Sequence, residues 1–396
     1  MSNSRNMEGH SSKMKLFSLK RKSFSTVLGI VFLSLAIAAC GNSAPATGTG
    51  GSTPAPAAAT NGKGCTKVGV LLPETASSAR WDGVDKPLLE QKIPAAIPGA
   101  TVDYANAGGD STVQQTQADA ALTKGDCILI VAAHDSDAAA TIVAKAKLQG
   151  VPVIAYDRLI QSKDLNYYVS FDNEKVGELQ GQYIADHYKD FTKDGTNVAM
   201  IDGGQTDNNA ILFHQGALAK LQPLFDAKTL TKVYDQYTDN WDNDKARTEM
   251  DGVLAANQNK IQIAYVANDG MANSVIAALK AKQLNGKVLV TGQDATVAGI
   301  QNIITGDQTM TVYKPIVKEV DAAVSLAKAL HDGTDTASLT NGITVKTKDG
   351  TGIPSVLEQA TAVDKANLAS TVIADGFVTL ADACKGLPAK AGGICP

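Results

Sequence analysis

The chain has 396 residues, which exceeds one ordinary domain and fits two lobes of about 150 residues each with added segments. Hydrophobic residues make up 44% of the chain and charged residues 19%, so most of its length can pack around an apolar core. The formal net charge is -4 and the sequence has no basic stripe. Nucleic acid is therefore excluded as the expected partner.

The first forty residues have the pattern of an export signal. Five Lys and Arg residues between positions 13 and 22 precede an apolar run at 24–39, which is at the short end for a membrane span. Small residues then lead to Cys40, as in a bacterial lipoprotein processing site. We expect residues 1–40 to be a lipoprotein signal peptide and Cys40 to carry the lipid that anchors the protein to the cell membrane. An uncleaved single-span anchor is the alternative, and both place the folded part outside the cytoplasm, in the periplasm or at the outer cell surface.

Residues 41–64 consist mainly of Gly, Ser, Thr, Pro and Ala and carry almost no charge. A segment of this composition cannot form an apolar core, so it is predicted to be a flexible tether. Such a tether suits an anchored protein, because it gives the folded part reach above the membrane.

Four further cysteines are Cys65, Cys127, Cys384 and Cys395. Four cysteines permit three pairings, and an oxidising compartment favours disulfides. Cys65 and Cys127 each begin a predicted strand, and these strands can be neighbours in a parallel sheet. Cys384 and Cys395 bracket a short Gly- and Pro-containing tail at 381–396. We predict the disulfides Cys65–Cys127 and Cys384–Cys395.

Between these cysteines the chain alternates short apolar strands with helices, in two successive arrays. The first array has strands at 67–72, 101–105, 127–133 and 151–155, and helices at 81–97 (broken at Pro87 and Pro94), 112–123 and 138–149. The second has strands at 167–171, 197–201, 232–237, 261–267, 287–291 and 309–313, and helices at 174–188, 209–221, 242–256, 271–281, 296–304 and 315–330. Residues 334–352 are predicted to be irregular. Continuous apolar strands between helices indicate parallel sheets covered on both faces, so the predicted fold class is α/β with two doubly wound lobes.

Polar side chains follow almost every predicted strand. Ligands of open α/β sheets bind outside the carboxyl ends of the strands, so these side chains are candidate ligand-binding residues. The set is Arg80, Trp81, Asp157, Arg158, Asp207, Asn209, Trp241, Asn268, Asp294 and Lys314. A sugar hydroxyl both donates and accepts, and the set offers carboxylate and amide acceptors beside cationic donors. The only two tryptophans come one from each array and offer flat surfaces to a pyranose ring. The alternative for Asn208, Asp242 and Asp269 is a role as helix N-caps alone.

Five segments carry a resemblance to a known family: 155–158 (AYDR), 170–180 (SFDNEKVGELQ), 207–210 (DNNA), 292–295 (GQDA) and 308–315 (QTMTVYKP). They resemble the periplasmic sugar-binding proteins of the ribose and galactose type, most closely the D-xylose-binding proteins of ABC transporters. The resemblance covers nearly all of residues 67–376 and implies that the ten residues above contact a sugar. The sequence departs from the family at 73–79 and 132–135, where His134 and Asp135 are candidate additional contacts.

The resemblance implies a type I periplasmic binding fold, in which the chain crosses between lobes three times. We place the crossings near Asn173, Lys314 and Asn341. The first lobe then comprises 65–172 with 315–340, and the second comprises 173–314 with 341–380, followed by the tail at 381–396.

The function implied is that of a monomeric solute-binding lipoprotein, without enzymatic activity or cofactor. It would close on a monosaccharide, with D-xylose expected, and deliver it to the permease of an ABC importer. A sugar-sensing receptor for signalling or chemotaxis, or a protein for glucose or another aldose, is the alternative. A glycosidase is disfavoured because each site Asp lies near an Arg, Asn or Lys. No metal is expected, because the five histidines (His10, His134, His187, His214 and His331) show no ligand spacing.

Overall fold

The structure is a computed structural model, and it describes residues 61–396. The predicted signal peptide, the lipid-bearing Cys40 and residues 41–60 of the predicted tether lie outside the described residues. Residues 61–64 form a turn in which Gly62 is buried and the backbone N–H of Gly64 donates to the carbonyl of His331 (2.8 Å). The folded domain therefore begins a few residues before the predicted boundary at Cys65. Every helix within 61–396 is too short or too polar to cross a bilayer.

The described residues form alternating strands and helices. The strands are β1 (Lys67–Leu72), β2 (Thr101–Asn106), β3 (Ile128–Val131), β4 (Val153–Tyr156), β5 (Tyr167–Phe171), β6 (Asn197–Asp202), β7 (Thr231–Tyr237), β8 (Ile263–Val266), β9 (Leu289–Val290), β10 (Met310–Tyr313), β11 (Thr344–Lys346), β12 (Gly352–Glu358) and β13 (Thr361–Asp364). The α-helices are α1 (Lys86–Ala96), α2 (Ser111–Lys124), α3 (Ala140–Leu148), α4 (Asn173–His187), α5 (Asn208–Asp226), α6 (Asn243–Ala256), α7 (Asp269–Ala281), α8 (Val297–Thr305), α9 (Ile316–Asp332), α10 (Ala337–Thr340) and α11 (Leu380–Cys384).

The first lobe is built on a seven-stranded sheet with the order β11-β12-β5-β4-β3-β1-β2, parallel except for the antiparallel β11–β12 pair. The strands β3 and β4 are buried along their whole length, as their uninterrupted apolar sequences predict. One face of the sheet packs on α1 and α9, and the other packs on α2 and α3. The carboxyl ends of these parallel strands therefore lie together at one edge.

The segment before and within α1 differs from the prediction. A helix broken at both prolines was expected, but a short π-helical segment, Trp81–Asp85, leads directly into α1. Pro87 lies in the first turn of α1, where a backbone N–H has no partner within the helix, so the proline costs no hydrogen bond. Pro94 lies close to the end of the helix. This continuous geometry holds Trp81 and its neighbours at the carboxyl edge of the sheet.

The second lobe is built on the parallel sheet β7-β6-β8-β9, with the antiparallel pair β10–β13 beside it. A single apolar cluster joins this sheet to α4, α5, α6 and α7. The helices α4 and α5 approach so closely that a Cβ on Gly177 would lie 1.9 Å from the carbonyl oxygen of Phe213. This packing fixes the amino end of α5 at the carboxyl edge of the second sheet.

The chain passes between lobes at Asp172, at residues 314–315 and at residues 359–360. The third position corrects the prediction, which placed a crossing near Asn341 and assigned 341–380 to the second lobe. Strands β11 and β12 belong to the first sheet, where β12 pairs in parallel with β5, and only β13 joins the second lobe. The segment that forms β12 contains Gly352 and Pro354 and lacks an apolar run, so its strand conformation depends on the pairing with β5.

Both predicted disulfides are confirmed, since Cys65 is bonded to Cys127 and Cys384 to Cys395. The first joins the starts of the neighbouring strands β1 and β3. The second closes the C-terminal tail, which packs with α8 in a small apolar cluster of the second lobe.

Candidate functional site

The carboxyl ends of the strands of both lobes border a small cavity whose lining is mostly polar. The residues that line it are Ser77, Ser78, Arg80, Trp81, Asp157, Arg158, Asp207, Asn209, Phe213, Trp241, Asn268, Gln293, Asp294 and Lys314. All ten residues predicted as ligand contacts are in this set.

Arg80 is held by three carboxylates on the side of the first lobe. Its guanidinium donates to both oxygens of Asp85 (2.9 and 2.6 Å), to Oδ2 of Asp157 (2.7 Å) and to Oε2 of Glu319 (2.6 Å). Burial raises the pKa of Glu319 well above its ordinary value, although the charge of Arg80 acts in the opposite direction. Burial also acts to raise the pKa of Asp157, but Arg80 and Lys314 outweigh it and hold that pKa below the usual range. Asp157 is therefore an ionised acceptor at the cavity wall.

Arg158 links the two lobes. Its Nη2 donates to Oε1 of Glu74 at 2.7 Å, and its Nε lies 2.8 Å from Oδ2 of Asp207 across the cleft. Burial alone would raise the pKa of Glu74, but Arg158, together with hydrogen bonds from His134 and Ser77, lowers it to about 2. The cation is thus compensated on both sides, and its position is fixed from both lobes.

The start of α5 brings two further predicted residues to the cavity. Asp207 is the N-cap, and its Oδ1 accepts from the backbone N–H of Asn209 (2.9 Å). The Nδ2 of Asn209 donates to the backbone carbonyl of Asp157 (3.0 Å), and its Oδ1 accepts from Asn173 (2.9 Å). Asp207 therefore both caps α5 and lines the cavity, and Asn209 in the same turn connects the two lobes.

The two tryptophans both line the cavity, one from each lobe. Trp81 belongs to the first lobe, and the guanidiniums of Arg80 and Arg158 lie 4.5 and 5.3 Å from its ring centroid. Trp241 belongs to the second lobe, and its Nε1 donates to Oδ2 of Asp207 at 3.2 Å. A Cβ on Gly203 would lie 2.2 Å from the Trp241 ring, so only glycine at that position admits the ring.

The remaining predicted residues come from the second lobe and from the crossing that follows β10. Asn268 caps α7, accepting from the N–H of Met271 through Oδ1 (2.9 Å). The Nζ of Lys314 lies 3.6 Å from Asp157 and 3.6 Å from Asp294, and Asp294 also accepts from Ser78 (3.3 Å). Lys314 therefore joins carboxylates of both lobes.

Three cavity residues have left-handed backbone conformations, namely Asp157 (φ 59°), Trp241 (φ 55°) and Asp294 (φ 97°). Such conformations are unfavourable for residues other than glycine and persist where the surrounding structure enforces them. Because three such residues lie at one cavity, we infer that the surrounding structure imposes these backbone conformations and thereby fixes the directions of the three side chains.

Four cavity residues were not predicted: Ser77, Ser78, Phe213 and Gln293. Ser77 and Ser78 lie in the segment 73–79, which departs from the family pattern, and that departure was the available signal. Gln293 lies between two residues of the GQDA segment. Phe213 lies in the middle of α5, where its sequence context cannot be distinguished from a core position.

The two additional candidates, His134 and Asp135, are not in the cavity. The Nδ1 of His134 lies 3.2 Å from Oε2 of Glu74, so this ring supports the partner of Arg158. The Oδ1 of Asp135 accepts from the backbone N–H groups of Asp137 and Ala138 and stabilises a turn. Neither side chain lines this cavity, and a ligand contact by either stays a prediction.

Two α/β lobes, three crossings and a polar cavity between them define a two-lobed ligand-binding protein with the type I periplasmic binding fold. A family profile described as a periplasmic binding protein domain matches residues 74–335. The chain belongs to this family.

Several relatives that are similar over most of this chain are named for sugar binding. The D-xylose-binding periplasmic protein of Haemophilus influenzae is 40% identical over 76% of this chain and 87% of its own length. The protein of that name from Escherichia coli is 38% identical over 75% and 87%. An ABC transporter solute-binding protein from Clostridium phytofermentans, solved with bound β-D-glucose, has a TM-score of 0.72 and 29% identity over 80% of this chain and 99% of its own.

Proposed function

We propose that this protein captures a free monosaccharide between its lobes and that D-xylose is its ligand. The observation that carries the proposal is the cavity, where donors and acceptors from both lobes converge beside two tryptophan rings. The two relatives named for D-xylose support the choice of sugar.

Two buried atoms at the cavity are free to bind a ligand. The Nε1 donor of Trp81 and the Oε1 acceptor of Gln293 have no hydrogen-bond partner within residues 61–396. A buried polar group without a partner costs on the order of 1–3 kcal/mol, so a ligand gains up to that amount for each of the two atoms that it bonds. A polyol supplies an acceptor for the first and a donor for the second.

Capture proceeds by closure of the lobes about the three crossings. In the closed form the lobes already touch, because Asn243 donates to the carbonyl of Ala76 (3.3 Å) and the N–H of Ser136 donates to the carbonyl of Thr206 (2.9 Å). A sugar that contacts both lobes only in this form shifts the equilibrium towards it. Micromolar affinity corresponds to about -8 kcal/mol, or about -0.8 kcal/mol for each heavy atom of a pentose, which nearly complete enclosure permits.

The closed protein would then deliver the sugar to the permease of an ABC importer. We propose that it does so as a monomer outside the cytoplasm, tethered by a lipid on Cys40. Cys40→Ala should release the protein from the membrane fraction and remove the lipid mass from its N-terminus. Membrane association that persists in this variant would favour the single-span anchor. Light scattering of the purified protein should give the mass of one chain with and without sugar.

The decisive experiment is calorimetric titration of the purified protein with D-xylose, D-glucose, D-ribose, L-arabinose and D-galactose. One-to-one binding of D-xylose at micromolar concentration or below, and weaker binding of the others, is the expected result. Failure of all five sugars to bind would contradict the proposal. An aryl xyloside should remain unhydrolysed, and its turnover would show an enzyme instead.

D-glucose is the second candidate, favoured by the glucose bound in the related Clostridium phytofermentans protein. Tighter binding of D-glucose than of D-xylose would preserve the closure mechanism. It would assign the change of specificity to Ser77 and Ser78, because these cavity residues lie in the segment that departs from the family pattern.

A further inference from the structure

A second cluster of ionisable side chains lies in the second lobe, outside the sugar cavity. It consists of Asp202 at the end of β6, His214 on α5 and Asp235 on β7. The Nδ1 of His214 lies 3.0 Å from Oδ1 of Asp202 and 3.6 Å from Oδ1 of Asp235. One ligand atom of each residue lies within 4.8 Å of the others, so small rotations bring all three onto one ion.

Strand register explains why these residues meet. Met200 on β6 pairs with Asp235 on one side and with Tyr265 of β8 on the other. Asp202 is two residues beyond Met200, and residues two apart point to the same face of a sheet. Asp202, Asp235 and Tyr265 therefore share one face, and His214 of α5 lies over it. Ligands from three separate elements leave no spacing pattern along the chain, which is why the sequence predicted no metal.

Two oxygens at this cluster lack a partner. Oδ2 of Asp202 and the hydroxyl of Tyr265 belong to fully buried residues, and neither has a hydrogen-bond partner within residues 61–396. Strand register places Tyr265 on the same face as Asp202 and Asp235, next to them across the sheet. Buried polar atoms in native proteins are paired, so two unpaired oxygens at one place indicate a ligand that both can reach.

The ligand atoms of Asp202, His214 and Asp235 suit a cation. One imidazole and two carboxylates are typical ligands of Zn²⁺, which takes three protein ligands and keeps a further position for water or another oxygen. Lys232 pairs with Oδ2 of Asp235 and leaves Oδ1 directed at His214. Asp202 has no Lys or Arg partner among the described ion pairs, so negative charge remains for the cation.

We propose that Asp202, His214 and Asp235 form a binding site for a divalent transition-metal ion of the Zn²⁺ type, with the Tyr265 hydroxyl beside it. The site is distinct from the sugar cavity but adjoins its wall. Asp202 precedes Gly203, against which Trp241 lies, and His214 follows the cavity residue Phe213.

The test is titration of the chelator-treated protein, purified without a histidine tag, with ZnCl₂, CaCl₂ and MnCl₂ in the absence of sugar. Calorimetry should show one Zn²⁺ per chain at this site, and the melting temperature should rise by several degrees with Zn²⁺. His214→Ala should lower Zn²⁺ affinity at least tenfold, and Asp202→Asn should do the same. His187→Ala is the matched control, because His187 lies on the neighbouring helix α4 beside Asp186 and should leave Zn²⁺ binding unchanged.

Equal Zn²⁺ binding by wild type and His214→Ala would overturn the proposal, and so would a preference for Ca²⁺ over Zn²⁺. His214 is partly exposed, so its replacement by alanine should fold, and circular dichroism verifies this before titration. Because no sugar is present, the outcome does not depend on the proposed sugar binding.

Discussion

The two lobes present polar groups to the same cavity by different physical means. In the first lobe, Arg80 and Arg158 are fixed by buried carboxylates, so direction comes from charge pairing. In the second lobe, Asp207 and Asn268 are fixed as helix N-caps, so direction comes from the backbone. A buried ion pair is costly to break on one side, whereas the loss of a cap costs about 1 kcal/mol.

The difference implies different consequences of mutation. Removal of a first-lobe side chain leaves an opposite charge buried without compensation, so stability and affinity should fall together. Removal of an uncharged second-lobe cap such as Asn268 leaves no buried charge uncompensated, so affinity should fall more than stability. Four changes test this distinction, from the largest expected effect to the smallest.

Arg158→Ala should have the largest effect. It leaves Glu74 and Asp207 buried without their cation, which should lower the free energy of unfolding by about 3–5 kcal/mol and abolish measurable sugar binding. Urea unfolding and calorimetry measure the two quantities. Arg247→Ala is the matched control, because Arg247 is exposed and its pair with Asp251 is 4.0 Å long, so it should change stability by less than about 1 kcal/mol. Similar stability losses in Arg158→Ala and Arg247→Ala would contradict the inference that buried charge pairs fix the first-lobe side chains.

Glu74→Gln should remove a pH dependence of stability. The folded-state pKa of Glu74 is about 2, below the ordinary value of 4.5, so its contribution to stability is present above pH 4.5 and is lost as pH falls towards 2. A lowering of that size corresponds to on the order of 3 kcal/mol. Between pH 5 and pH 2.5 the wild type should therefore lose more stability than Glu74→Gln, as measured by urea unfolding. Parallel stability curves for the two proteins would show that the first-lobe ion pair does not contribute in this way.

Gly203→Ala should weaken sugar binding without removing a polar group. The added Cβ would lie 2.2 Å from the ring of Trp241 and would displace it, at a cost of about 2 kcal/mol or roughly thirtyfold in affinity. Gly83→Ala is the control, since a Cβ there meets nothing within 4 Å. Unchanged affinity in Gly203→Ala would show that the Trp241 ring does not contact the sugar.

Sequence reasoning located the ten ligand candidates because each follows a strand, and parallel strands end at one edge of a sheet. It also found both disulfides, since Cys65 and Cys127 begin strands that lie side by side. The sequence did not predict which residues, remote from each other along the chain, would form ion pairs in the folded protein. Arg80 and Glu319 are 239 positions apart and meet only when α9 packs on the first sheet.

Two other features of the structure could not be predicted from the sequence pattern. Strand β12 carries Gly352 and Pro354, and its conformation depends on pairing with β5, so the third crossing was misplaced. His134 was a candidate because it lies where the sequence departs from the family pattern, but the fold directs its ring to Glu74. Strand ends specify which residues are near the site, whereas side-chain direction depends on neighbours that are remote in sequence.

Asn268→Ala should have the smallest effect on stability and gives the sharpest comparison. Asn268 caps α7 at the cavity, and Asp110 caps α2 in the first lobe with a side chain that is absent from the cavity lining. Each alanine variant loses one cap, so each should lower the free energy of unfolding by about 1 kcal/mol. Only Asn268→Ala should also lose sugar affinity, because Asn268 lines the cavity and its Nδ2 donates across the cleft to the carbonyl of Ser77 (3.4 Å). If calorimetry gives equal affinities for the two variants, the N-cap of α7 is structural alone, and the second lobe binds through Asp294 and Trp241 instead.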